Sequence, residues 1–184
     1  MSGAHAADAG RQDPGDHAAV LAATPDDMVE LGRRLAQLLR RGDLVVLTGE
    51  LGAGKTTFTR GLGEGLGVRG AVTSPTFVIA REHPHPAGGP SLVHVDAYRL
   101  SSLVEVDDLD LDASLAESVT VVEWGEGLVE DLSVDRLEVR LLRPPGHDSD
   151  DGGALDRPEP RTVHLTGVGP RWADVALPGG CGPG

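Results

Sequence analysis

The sequence predicts an α/β fold: a mostly parallel sheet flanked by helices, with an antiparallel hairpin at its C-terminal edge. Three observations carry that expectation. Short apolar runs alternate with stripes of apolar residues at 3- and 4-residue spacing. The runs at 44–48 and 119–122 are nearly continuous rather than alternating, the pattern of strands covered on both faces. Two late strand-like segments, 136–142 and 162–165, flank a stretch rich in Gly, Pro and Asp and are placed to pair with each other.

The elements follow in chain order. Residues 1–18 are polar and rich in Ala, Gly and Asp, and read as a disordered tail. Thr24-Pro25-Asp26-Asp27 opens a helix, with a Thr cap, Pro at the first helical position and acids in the first turn. Met28, Leu31, Leu35 and Leu38 supply its apolar stripe, and Arg40-Arg41-Gly42 reads as its stop. After the strand at 44–48 and a Gly-rich turn comes a second helix, with Phe58, Leu62 and Leu66 on one face. Gly61, Gly63 and Gly65 weaken it intrinsically, so packing must hold it. Strands are expected at 77–80, 92–95 and 119–122, and a helix near 103–109, where Ser102 and Glu105 have capping-box spacing. The organisation is one domain at 19–177, carrying a flexible loop at 144–160, with a second disordered tail at 178–184.

Composition excludes several roles. The 184 residues suit one core. Acids outnumber bases 29 to 16, a formal net charge of −13, so strong direct nucleic-acid binding over a broad face is not expected. The lone Cys181 has no internal partner, which fits a reducing compartment. The N-terminus lacks a basic segment followed by an apolar one, and no run approaches the roughly 18 apolar residues of a membrane span. A cytoplasmic protein without a membrane association is the expectation.

The only lysine in the chain, Lys55, lies in Gly49-Glu50-Leu51-Gly52-Ala53-Gly54-Lys55-Thr56, which fits GxxxxGK[ST], the Walker A pattern. A chain of this composition would match by chance at roughly the 0.2% level. Glycines let the backbone wrap phosphates and present N–H groups to them. The following helix aims its positive end at the same place. Lys55 has the reach for the β- and γ-phosphates, and the Thr56 hydroxyl is placed for Mg²⁺. With an apolar strand before the loop and a helix after it, the expected fold is that of a P-loop NTPase.

Such a site needs an acid at a strand end to hold Mg²⁺ or its water. Two apolar runs end in one: 92–95 leads to Asp96, and 119–122 leads to Glu123. Both are placed to reach the metal, because carboxyl ends of parallel strands face the ligand crevice. His94 shares strand parity with Asp96 and reads as a histidine beside the site rather than a catalytic group. His83 and His85 are too sparse for a metal site, and Arg99 serves equally as a phosphate contact or a surface ion-pair partner. The guanine-reading Asn/Thr-Lys-x-Asp motif of Ras-type GTPases needs a second lysine, which is absent, so adenine is favoured by elimination.

With the phosphate loop, Ser74-Pro75-Thr76-Phe77, the run from His94 through Asp96, Tyr98 and Arg99 to Leu100, and Val122-Glu123-Trp124-Gly125-Glu126 in place, the chain closely resembles the TsaE (YjeE) family. That family is the ATPase component of bacterial tRNA threonylcarbamoyladenosine (t6A) biosynthesis. The resemblance covers about 20–143 well and is weaker from 161 onward. It implies ATP and Mg²⁺ as cofactors, with Gly52, Ala53, Gly54, Lys55, Thr56 and Thr57 cradling the phosphates and Asp96 beside the γ-phosphate or the attacking water. Thr56 and Glu123 would be the metal ligands, and Lys55, Asp96 and Glu123 the catalytic residues. Ser74, Pro75 and Thr76 would form a switch-like segment that senses the nucleotide. Trp124 and the 98–109 region would face a partner, and the helix starting at Thr24 would lie near the adenine. The implied activity is Mg²⁺-dependent ATP hydrolysis, weak without partners. It would support N6-threonylcarbamoylation of adenosine 37 in tRNAs that read codons beginning with A, together with the TsaD transferase and TsaB. Two other readings remain: a non-catalytic ATP-dependent assembly module, and a P-loop small-molecule kinase, which would need an arginine-rich lid.

Overall fold

The structure, a computed structural model, describes residues 17–75, 79–99, 115–127, 129, 132–143 and 159–180. Seven strands form one sheet: β1 (His17–Ala22), β2 (Leu44–Gly49), β3 (Ala80–His83), β4 (Ser91–Asp96), β5 (Ser118–Glu123), β6 (Arg136–Leu142) and β7 (Arg161–Val168). Their order across the sheet is β1-β7-β6-β2-β5-β4-β3. Two helices, α1 (Pro25–Ala36) and α2 (Lys55–Leu66), join the early strands.

The sheet is mixed, which corrects the expectation of a mostly parallel one. β2 runs parallel to β5 and β6, and β4 runs parallel to β5, so parallel pairing is confined to the four central strands. β3 pairs antiparallel with β4, and β7 pairs antiparallel with both β6 and β1. The reason lies in the connections. Only residues 84–90 separate β3 from β4, a hairpin length that cannot carry a parallel crossover. The β6–β7 hairpin forms as expected, but it is not the sheet's edge, because β1 covers β7. β1 begins at His17 and so takes in the last two residues of the segment read as an N-terminal tail. The strand expected at 77–80 is found at Ala80–His83, and residues 76–78 lie outside the described residues. The helix expected near 103–109 and most of the 144–160 loop also lie outside them.

α1 starts as its residues dictate. The Thr24 hydroxyl accepts from the Asp27 N–H at 3.1 Å, and the Asp27 carboxylate accepts from the Thr24 N–H at 2.9 Å, a complete capping box ahead of Pro25. The α-helix ends at Ala36, short of Arg40-Arg41-Gly42, in a tightened turn where the Leu38 and Leu39 N–H groups reach the Leu35 and Ala36 carbonyls.

Both described helices lie on one face of the sheet. Leu31, Leu35, Phe58 and Leu62 pack there on Val45, Leu47, Val121, Leu137, Val139 and Leu165. The helices cross very closely. A Cβ on Gly61 would stand 2.2 Å from the Val29 carbonyl oxygen, and one on Gly65 would stand 2.6 Å from the Ala36 Cβ. The glycines that weaken α2 as an isolated helix are therefore what lets it lie against α1. On the other face, among the described residues, Leu44, Val46, Val93, Val95 and Val122 meet Leu115 and Val129. No helix among the described residues is long and apolar enough to cross a membrane.

Candidate functional site

The site is built where β2 runs into α2. The chain leaves the buried centre of the sheet, turns through residues 50–54 and enters α2 at Lys55. Gly54 caps that helix at φ 104°, a left-handed conformation that a side chain would strain. The cap offers no side-chain hydrogen bond and the first turn holds no acid, so the positive end of α2 is left uncompensated by its own sequence.

Lys55 is only 5% exposed. Its ammonium donates to the Gly49 carbonyl at 2.7 Å and the Glu50 carbonyl at 3.0 Å. It also sits 3.9 Å from the centre of the Trp124 ring. Burial pushes its pKa below the usual lysine value, while the charges of Glu123 and Asp96 pull it back up. The Trp124 backbone takes φ 62°, a conformation rare for a bulky residue, and its N–H donates to the Leu47 carbonyl at 3.0 Å. That turn brings the indole over Lys55, with the Tyr98 ring 5.2 Å away and tilted against it.

The two acids end their strands side by side. Asp96 is the last residue of β4, Glu123 the last of β5, and the two are register partners. Asp96 is half-buried and accepts from the Tyr98 N–H at 3.1 Å. Glu123 is 4% exposed, and its Oε1 accepts from the Thr56 hydroxyl at 3.1 Å. The same Oε1 is 2.8 Å from His94 Nε2. Thus the expected residues Lys55, Thr56, Asp96 and Glu123 come together at the mouth of the loop. Ser74 and Pro75 lie between α2 and β3, and no hydrogen bond among the described residues joins them to the loop; Thr76 lies outside those residues.

Space opens on both sides of the loop. Towards α1 lies a cavity of about 170 Å³ lined by Thr24, Pro25, Met28, residues 52–54, Thr57 and Arg161. Towards Trp124 lies an open one of about 700 Å³, lined by Glu50, Leu51, Glu126, Arg140 and Arg143 among others. Arg143 was missed in the sequence reading. It stands just past the end of β6 and donates to the Leu51 carbonyl at 3.2 Å, bracing the loop. The sequence shows a cation just past a strand-like run, but not that this run lies parallel beside β2. The link from His94 to Glu123 was also missed, because strand parity tells which face a side chain takes but not which neighbour it meets.

A hydroxyl and a carboxylate 3.1 Å apart at the positive end of a helix form a hard-oxygen donor pair that suits Mg²⁺, a metal commonly held by few protein groups with phosphate and water. Among the described residues no group of three or more His, Cys, Asp or Glu side chains stands ready as a metal cage.

Fold and site define a class first: an α/β protein built on a strand, a Walker A glycine loop and a helix. A sequence model of the family "Threonylcarbamoyl adenosine biosynthesis protein TsaE" matches residues 22–149. The chain is 66% identical over 153 residues to the Streptomyces coelicolor protein named tRNA threonylcarbamoyladenosine biosynthesis protein TsaE, spanning 82% of this chain and 98% of that one. It is 36% identical over 149 residues to the Bacillus subtilis protein of the same name, spanning 80% and 84%. The crystal structure of YdiB from Bacillus subtilis matches with a TM-score of 0.63 at 30% identity, over 85% of this chain and 88% of that one. The chain belongs to the TsaE family.

Proposed function

We propose that this chain binds ATP with Mg²⁺ and hydrolyses it to ADP and phosphate in support of t6A formation on tRNA, in the cytoplasm, acting with TsaD and TsaB. The observation that carries the reading is the meeting of Lys55, Thr56 and Glu123 at the start of α2. The family's name supplies the pathway.

In this reading the 50–54 backbone and the start of α2 hold the phosphates, and Lys55 leaves the Gly49 and Glu50 carbonyls to bridge the β- and γ-phosphates. Thr56 and Glu123 hold Mg²⁺, which when bound neutralises charge on the phosphate oxygens. Asp96, at the neighbouring strand end, orients the attacking water. The smaller cavity, lined by Thr24, Met28 and Thr57, takes the adenosine. The uncompensated acidity of the chain suits a protein that leaves tRNA to its partners.

ATP turnover measured with and without the TsaB–TsaD pair tests the reading. Turnover should rise with the pair present, and Glu123→Ala should lower it by about tenfold or more while nucleotide still binds. Binding without turnover in every combination would favour a non-catalytic assembly module, and phosphate passed to a metabolite would favour a kinase.

A further inference from the structure

We propose that His94 is a positioning residue that holds the Glu123 carboxylate in the orientation its Mg²⁺ role requires; the inference rests on the MgATP reading of the site. His94 lies on β4, on the face that α2 covers, and is 0% exposed. On β4 and β5 it stands beside Leu92, two residues before it, and its register partner Val121, while on β3 its register partner is Arg81.

The imidazole makes one polar contact of note. Nε2 is 2.8 Å from Glu123 Oε1, the oxygen that also accepts from the Thr56 hydroxyl. A carboxylate only accepts, so Nε2 carries the proton and donates. Nδ1 is buried without a hydrogen-bond partner among the described residues. Buried polar atoms are almost always paired, so an unpaired one calls for a compensating role elsewhere in the ring. Here that role is at Nε2. Two donors on Oε1, one from the neighbouring strand and one from the helix, hold the carboxylate in place. Glu123 would otherwise be free to rotate about its terminal torsion, which is broad for a carboxylate. His94 thus acts on the metal site without touching metal or nucleotide, as outer-shell partners of metal ligands do.

The test uses the full chain, a fluorescent ATP analogue and a Mg²⁺ titration, with nucleotide affinity in EDTA measured alongside. His94→Leu should raise the Mg²⁺ midpoint by about tenfold or more while leaving affinity in EDTA within about twofold. His94→Gln, whose amide nitrogen reaches the Nε2 position, should return most of the wild-type midpoint. A purely structural histidine would lower the melting temperature in both variants and leave both midpoints unmoved, and that result overturns the inference. If His94→Leu does not fold, His94→Asn replaces it as a polar variant too short to reach Glu123. Equal midpoints for Asn and Gln then overturn the inference, and a raised midpoint for Asn alone supports it. Nucleotide binding by the wild type that ignores Mg²⁺ altogether would instead remove the MgATP reading, and the inference with it.

Discussion

At the scale of single residues, two buried cationic or titratable groups show how tightly this molecule is constrained. Lys55 is held off solvent by two carbonyls and an indole, so it is poised beside the loop rather than swinging freely. Attraction to the Trp124 ring is worth about 0.5–2 kcal/mol, small enough for phosphate to outcompete. His83 makes a different point. Its ring is buried, Nε2 has no hydrogen-bond partner among the described residues, and burial with the nearby His94 and Arg81 pushes its pKa below the usual histidine value. The folded protein therefore refuses a proton that the unfolded chain accepts. Its stabilising contribution is complete above the unfolded pKa of about 6.5 and is lost as pH falls below it. Melting temperatures measured from pH 7.5 down to 5.5 should fall less steeply in His83→Gln than in wild type. Parallel curves would show that His83 takes no part in the acid sensitivity.

At the scale of elements, α2 sets two effects of opposite sign against each other. Helix propensity alone says that Gly61→Ala stabilises by about 1 kcal/mol. Packing says the reverse, because the new Cβ would meet the Val29 carbonyl oxygen at 2.2 Å, and backbone cannot yield as a flexible side chain can. Overpacking costs about 1–3 kcal/mol and should win. Denaturant midpoints should fall at an unchanged slope; a rise would mean the helices separate without cost. The same elements mark what the sequence makes legible. The helix start at Thr24, the loop and the acids at the ends of β4 and β5 are local patterns, and each lies where local chemistry places it. β1 was not legible, since its Ala-rich His17–Ala22 becomes a strand only by pairing with β7, with His17 lying opposite Thr166. Strand direction was hidden for a related reason: apolar period reports which faces are buried, not whether the partner runs parallel. The position of Trp124 over Lys55 depends on one unusual backbone angle that no pattern announces.

At the scale of the whole molecule, the C-terminal end of the described chain is tied back to the start of the central strand. Arg171 donates to both carboxylate oxygens of Asp43, at 3.1 and 2.9 Å, and to the Leu38 carbonyl at 2.6 Å, while its guanidinium lies over the Trp172 ring. Both members of the pair are buried. Removing one strands the other's charge, so Arg171→Ala should cost about 3–5 kcal/mol, although the residue is remote in sequence from the phosphate loop. Calorimetry that shows less than about 1 kcal/mol would mean that water reaches Asp43 and relieves it. The fold thus brings a glycine loop, two strand-end acids and the start of α2 into one place, in a chain of the family named for threonylcarbamoyl adenosine biosynthesis. The most direct measurement is the t6A content of bulk tRNA in cells depleted of this protein. The account expects t6A to fall, to be restored by the wild-type chain and not to be restored by Lys55→Ala. Normal t6A after depletion, or full rescue by Lys55→Ala, would contradict it.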